Sequence, residues 1–153
     1  MRYVALGLTL VCLLTTQLQS SESLSPNPKL SPQEVVSIQL EALRMNDIPY
    51  PDAGIAQVWA FAHPDNKLVT GPLVRFTQMI KSEAYRILIG HRSHKIKLVS
   101  ETVREALFAV SVTASDGKVF GYRWNVKKVS SSKLAGAWLT SAVSAPTPLS
   151  EDI

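Results

Sequence analysis

The spacing of apolar residues changes once along this chain, near residue 90, and that change restricts the fold more than any other feature. Before it, apolar residues recur three and four positions apart, as on one face of a helix. After it, they alternate with polar ones, as in a half-buried strand. A chain with helices first and strands afterwards cannot build repeated strand–helix–strand units. It is expected to be α+β: N-terminal helices packed on a curved antiparallel sheet of about four strands.

Ser31-Pro32-Gln33-Glu34 is a capping box, with Pro at the first helical position and Glu reaching back to the cap. It predicts a first helix to about Met45, with Val36, Leu40 and Leu43 as its stripe, widened by Ile38 and Ala42. Asn46-Asp47 closes it, and the two prolines of Ile48-Pro49-Tyr50-Pro51 predict an extended segment. Asp52 is placed to cap a second helix through its side chain, with Ile55, Val58, Trp59 and Ala62 on the buried face. Pro64 disfavours helical geometry at His63, so this helix should stop there, and His63-Pro64-Asp65-Asn66 reads as a turn. A third helix is expected from Pro72, burying Leu73, Phe76, Thr77 and Ile80, with Tyr85, Leu88 and Ile89 extending the apolar surface towards the sheet.

Beyond a turn at 90–93, Lys95 to Leu98 alternate. Ala106, Phe108, Val110, Val112 and Ala114 share one face of a longer strand. Ser115-Asp116-Gly117-Lys118 is a hairpin turn in which Asp-Gly suits two positive-φ positions. Phe120, Tyr122, Trp124 and Val126 share a face of the return strand. Ser130–Ser132 is another turn, Leu134 to Val143 a last strand, and residues 144–153 a disordered tail.

Residues 1–20 read as an export signal. Arg2 precedes the apolar run Val4 to Leu14, which is shorter than the about 20 residues a spanning helix needs. The protein is therefore expected to be exported, to a periplasm, a thylakoid lumen or the exterior. Cys12 is the only cysteine, and Thr9-Leu10-Val11 before it makes a poor lipidation box. Without the signal the chain has no thiol, so disulfides, thiolate nucleophiles and thiolate metal sites are excluded. Residues 21–30 form a Ser/Pro-rich linker and 31–143 a single domain. The net charge of +4 hides an asymmetry: residues 21–74 carry three basic residues against six acids, and residues 75–133 twelve against four.

Gln39-Leu40-x-Ala-Leu, Asn46-Asp47-x-Pro49, Asp52-x-Gly54-Ile55, Trp59-x-Phe61-Ala62-x-Pro64-x-Asn66 and Thr70-Gly71-Pro72-Leu73-x-x-Phe76-x-x-Met79-Ile80 resemble the domain-of-unknown-function 4864 family. The likeness covers about residues 33–140, including Tyr122-x-Trp124 and Trp138. That family has no assigned activity, so the resemblance implies no catalytic residue. By order of elements it implies a nuclear-transport-factor-two-like cone, in which helices pack into the concave face of a curved sheet. Some proteins of that fold are isomerases or dehydratases and many only bind, so fold alone does not choose the chemistry.

Several side chains are candidates for a site. His91-x-x-His94 has spacing a metal could use, but no acid lies near in sequence and Arg92 and Lys95 repel a cation. It reads as an exposed turn, and no metal or cofactor is expected. His63 falls at the end of the second helix, where a cationic side chain suits the dipole. A cone enzyme needs a buried acid–base pair. Asp52, Tyr50, Tyr85 and Tyr122 could meet, yet Asp52 reads as a cap, Asp116 as a turn residue, and the apolar strand faces carry no carboxylate. Candidates for pocket lining are Tyr50, Trp59, Phe61, Phe76, Tyr85, Tyr122 and Trp124. Lys95, Lys97, Arg123 and Lys127 fall at alternate strand positions and should share the face turned from the helices, suited to an acidic protein or anionic membrane surface. Nucleic acid is not an expected partner. The leading reading is a small exported binding or assembly domain without catalysis, taking a small apolar ligand or a partner. The alternatives are an isomerase- or hydratase-type enzyme using the cone cavity, and an accessory subunit docking on a membrane complex through the basic face.

Overall fold

The computed structural model describes residues 23–150. The expected signal over 1–20, with Cys12, and the last three residues of the expected tail lie outside them. The order of elements is α1 (Pro32–Arg44), α2 (Ala53–Ala60), α3 (Pro64–Thr70), α4 (Leu73–Ile80), a 3-10 turn (Arg86–Leu88), β1 (Ser93–Glu101), β2 (Glu105–Thr113), β3 (Val119–Lys128), β4 (Trp138–Val143) and β5 (Thr147–Leu149). The chain is α+β: helices lie on one face of a five-stranded sheet ordered β1-β2-β3-β4, with β5 also on β3. Among the described residues no helix is long and apolar enough to cross a membrane.

The helices start as local chemistry dictates, with three exceptions. In α1 both halves of the capping box form: Glu34 N–H donates to Ser31 Oγ at 3.2 Å, and Ser31 N–H to Glu34 Oε2 at 2.7 Å. Helix α2 does not use the expected cap. Asp52 sits in the left-handed region (φ 62°) with no side-chain cap bond. Its carboxylate instead accepts from Asn46 Nδ2 at 3.0 Å and pairs with Lys81 Nζ at 2.6 Å. Asn46 does the capping from the end of α1: its backbone carbonyl takes Gly54 N–H at 2.8 Å and its Oδ1 takes Ile55 N–H at 3.1 Å. The segment between is consequently a compact turn and not extended. Ile48 N–H donates to Met45 O, and Asp52 N–H to Asp47 Oδ1.

The third exception is α3, which occupies residues expected to form a turn. His63 is indeed extended (φ −60°, ψ 146°), as a residue before Pro should be, but Pro64 then takes the first position of a new helix. The described residues thus hold four α-helices where three were expected.

The sheet follows the alternation. Ala106, Phe108, Val110, Val112 and Tyr122, Trp124, Val126 are buried against Val35, Val36, Leu40, Leu43 and Ile55 of α1 and α2. Complete burial of each large aliphatic or aromatic side chain contributes about 1.5–3 kcal/mol. In the β2–β3 hairpin only Gly117 has positive φ (92°), so the turn is the longer kind closed by a glycine bulge, and Asp116 Oδ1 accepts from Lys118 N–H. The last strand begins at Trp138, four residues later than expected, because Leu134–Ala137 form a turn. The tail is not disordered over 147–149: β5 pairs with Val119–Gly121 of β3. The linker is also held, since Gln57 clasps Leu24 through Nε2 to its carbonyl (2.6 Å) and Oε1 to its N–H (2.9 Å).

Candidate functional site

Between the helices and the β3–β4 half of the sheet lies a cavity of about 480 Å³. All four helices contribute to it. Leu43 comes from α1, Val58 from α2, Val69 from α3, and Phe76, Met79 and Ile80 from α4. Tyr85, Leu88, Trp124 and residues 140–143 complete the wall. A volume of this size suits a small ligand, and the lining is predominantly aliphatic and aromatic, as such sites usually are.

Helix α3 is placed over β4 by main-chain bonds. His63 N–H donates to Thr140 O and Thr140 N–H to Phe61 O, both at 2.8 Å, so the chain at 61–63 adds to β4 like a short parallel strand. Asn66 Nδ2 reaches the same Thr140 carbonyl at 3.3 Å. This contact seals the outer edge of β4 and turns Asp65, Asn66, Val69 and Thr70 towards the cavity.

The polar atoms deepest in the wall satisfy one another. Thr140 Oγ1 accepts from Trp124 Nε1 (2.9 Å) and Gln39 Nε2 (2.8 Å) and donates to Gln39 Oε1 at 3.0 Å. Gln39 Nε2 also donates to Val35 O at 2.9 Å. The network uses the hydroxyl, the indole N–H and both amide hydrogens of Gln39, so little polarity is left to face a ligand. Among the described residues the one carboxylate in the lining, Asp65, stands at the rim with its side chain 65% exposed, 3.5 Å from Lys127 Nζ.

Of the expected lining residues, Phe76, Tyr85 and Trp124 are in the wall. Phe61 is wholly buried in the core and Tyr122 nearly so. Tyr50 lies outside, 55% exposed, on a separate groove between α1 and α2. Trp59 is only half-buried. It packs under the α3–α4 connection, with Lys67 Nζ 4.0 Å over its ring, and not between α2 and the sheet. The residues sequence reasoning missed are Gln39, Asn66, Val69 and Thr140. For Asn66 and Val69 the signal was the helix start at Pro64.

Tyr85 and Tyr122 do approach, but not as an acid–base pair with Asp52. Tyr85 Oη donates to Val143 O at 3.1 Å, while Tyr122 Oη is buried with no hydrogen-bond partner among the described residues. Burial, then the neighbouring Tyr85, pushes the Tyr122 phenol up to about 12. Asp52 is held below the usual carboxylate range, first by Lys81 and then by Asn46, and so stays an ion.

The histidine pair is not an exposed turn. His91 is 2% exposed, and its Nδ1 is 2.7 Å from Leu88 O, which can only accept. Nδ1 of His91 therefore carries the proton, Nε2 accepts, and His94 Nδ1 must donate to it across 2.8 Å. His94 Nε2 then faces Glu41 Oε1 at 3.7 Å. The ring nitrogens point at each other, leaving no shared vertex for a metal, and among the described residues no group of three or more candidate ligands is assembled. His63 is a neutral cap and not a cation. Its Nδ1 accepts Asp65 N–H at 3.2 Å, and burial holds its pKa below the usual imidazole value. The nearby Asp65 carboxylate, 3.4 Å from the same nitrogen, acts only through space.

The basic residues lie on the face turned from the helices. Lys97 and Arg123 flank Ala109 in one row across β1, β2 and β3, and Lys95 lies two positions along β1. Lys127 departs from this row towards Asp65. No family model, no curated protein and no solved structure matches the chain.

Proposed function

We propose that this protein is a non-catalytic binding domain whose cavity takes a small, largely apolar ligand. The observation that carries the reading is an apolar cavity of about 480 Å³ whose inner polar groups, Gln39, Thr140 and Trp124, are bonded to one another. A ligand entering it gains by leaving water and not by donating or accepting a proton. The reading includes export through residues 1–20, membership of the domain-of-unknown-function 4864 family, and the cone-like architecture that this resemblance implies. Helices on one face of an antiparallel sheet, with a cavity between the layers, support that architecture. The isomerase or hydratase alternative needs a base inside the cavity, and the one carboxylate there is at the solvent rim beside a lysine.

The test is binding of the apolar fluorophore 1-anilinonaphthalene-8-sulfonate, and its displacement by decanol. Val143→Phe places a ring in the cavity from a half-buried strand position that shares its face with its partner Trp124. It should abolish both signals while leaving the melting temperature close to that of the parent. Undiminished, decanol-sensitive fluorescence in this variant would sink the reading.

A further inference from the structure

The molecule leaves a large aliphatic surface uncovered beside the cavity. Leu68, Val69 and Val74 are 86%, 77% and 72% exposed, and all three lie on the hairpin of α3 and α4. No residue of α3 is buried. Single exposed aliphatics are ordinary, but three within seven residues, two of them adjacent, form a patch that marks a contact surface. Val69 also belongs to the cavity wall, so the patch runs into the cavity mouth.

Charge indicates what covers it. Along the hairpin, Asp65 is met by Lys127, and Lys81 by Asp52. Lys67 and Arg75, which flank the aliphatic residues in sequence, form no ion pair among the described residues, although the Lys67 ammonium lies 4.0 Å over the Trp59 ring. An apolar tip with basic residues at its margin matches a bilayer, where acyl chains lie beneath anionic headgroups. A protein partner would need complementarity over a wide patch, whereas the exposed aliphatics are confined to two short helices of seven and eight residues that turn at Gly71-Pro72.

We propose that the α3–α4 hairpin docks on an anionic membrane, with Leu68, Val69 and Val74 entering the acyl region, so that the cavity exchanges its apolar ligand with the bilayer. The ligand part rests on the binding reading above; the docking part does not. The ligand is accordingly of the lipid-soluble class, reached from the acyl layer and not from free solution.

The experiment is flotation of the full chain with phosphatidylcholine vesicles, with and without phosphatidylglycerol. The parent should co-float with the mixed vesicles and much less with phosphatidylcholine alone. Leu68→Glu/Val74→Glu should lose most of that co-flotation yet keep decanol-sensitive fluorophore binding, since neither side chain lines the cavity. Val143→Phe should do the reverse, which separates a failure of docking from a failure of the cavity. The proposal is overturned if the parent floats with neither vesicle, or if the hairpin variant floats like the parent. It is also overturned if Lys97→Glu/Arg123→Glu alone removes flotation, or if the hairpin instead holds two copies together in solution and the variant abolishes that dimer.

Discussion

Gly54 shows how one residue can set the distance between two helices. A Cβ built on it would overlap the carbonyl of Ala42, whose oxygen and carbon lie against it, and would come within 2.8 Å of Asn46 Cα. Those atoms are backbone of α1 and its end, so no side chain can rotate away. Gly54→Ala should therefore cost at least the about 1–3 kcal/mol typical of overpacking, with the Asn46 cap of α2 strained as well. The urea midpoint reads this directly, and an unchanged midpoint would show that the helices separate without resistance. Tyr122 works in the opposite sense. Its hydroxyl is buried without a partner among the described residues, so Tyr122→Phe should leave stability unchanged or raise it by about 1 kcal/mol. A loss of more than about 1 kcal/mol in the same titration would show that the hydroxyl is satisfied after all.

At the scale of elements, β3 is the strand on which the sheet depends. One edge of it carries β2 along its whole length, and the other is shared by β4 at Trp124–Lys128 and β5 at Val119–Gly121. Ser144 joins the two pairings, its N–H donating to Arg123 O and its Oγ accepting Arg123 N–H. Removing residues 145–153 should expose the Val119–Gly121 end of that edge, speed amide exchange at 119–121 and lower the melting temperature by a few degrees. Unaltered exchange there would mean that β5 contributes nothing. The strands of the sheet and α1 were legible in the sequence because period and capping agree at each of them. The tail was not, because Thr147-Pro148-Leu149 carries no alternation of its own and pairs only through a neighbour distant in sequence. Helix α3 was hidden by a rule applied in one direction: Pro64 does end helical geometry at His63, and it also begins the next helix. The cavity was half legible for the same reason. Phe76, Tyr85 and Trp124 were visible as apolar, whereas Asn66 reaches the wall because α3 lies over β4, and Gln39 and Thr140 because α1 and β4, distant in sequence, meet through their side-chain hydrogen bonds.

For the whole molecule, the buried histidines tie stability to pH. His63, His91 and His94 are each held below the ordinary imidazole value of 6.5, in every case chiefly by burial. Around the pair, Glu41 of α1 favours protonation, Arg44 of α1 opposes it, and the Leu88 carbonyl fixes the His91 tautomer. Around His63, Asp65 favours protonation and Lys127 opposes it. The chain of hydrogen bonds can take one proton, on His94 Nε2 facing Glu41. A second, on His91 Nε2, would set two N–H groups against each other across 2.8 Å. Protonating His63 at Nδ1 would likewise remove the acceptor that starts α3. Because the folded values are depressed, the unfolded chain binds protons more readily. The stabilisation is then complete above about pH 6.5, declines as pH falls below it, and levels off once the folded-state values are passed. The urea midpoint should therefore be lower at about pH 5.5 than at about pH 7.5, before the paired carboxylates of the molecule begin to protonate. His94→Gln, whose amide can still donate to His91 Nε2, should shrink that difference without abolishing folding. A midpoint that stays constant across this interval, in parent and variant alike, would mean that the histidines take up protons as freely in the folded protein as in the unfolded chain, and that the clamp between α1, the 3-10 turn and β1 does not depend on their neutrality.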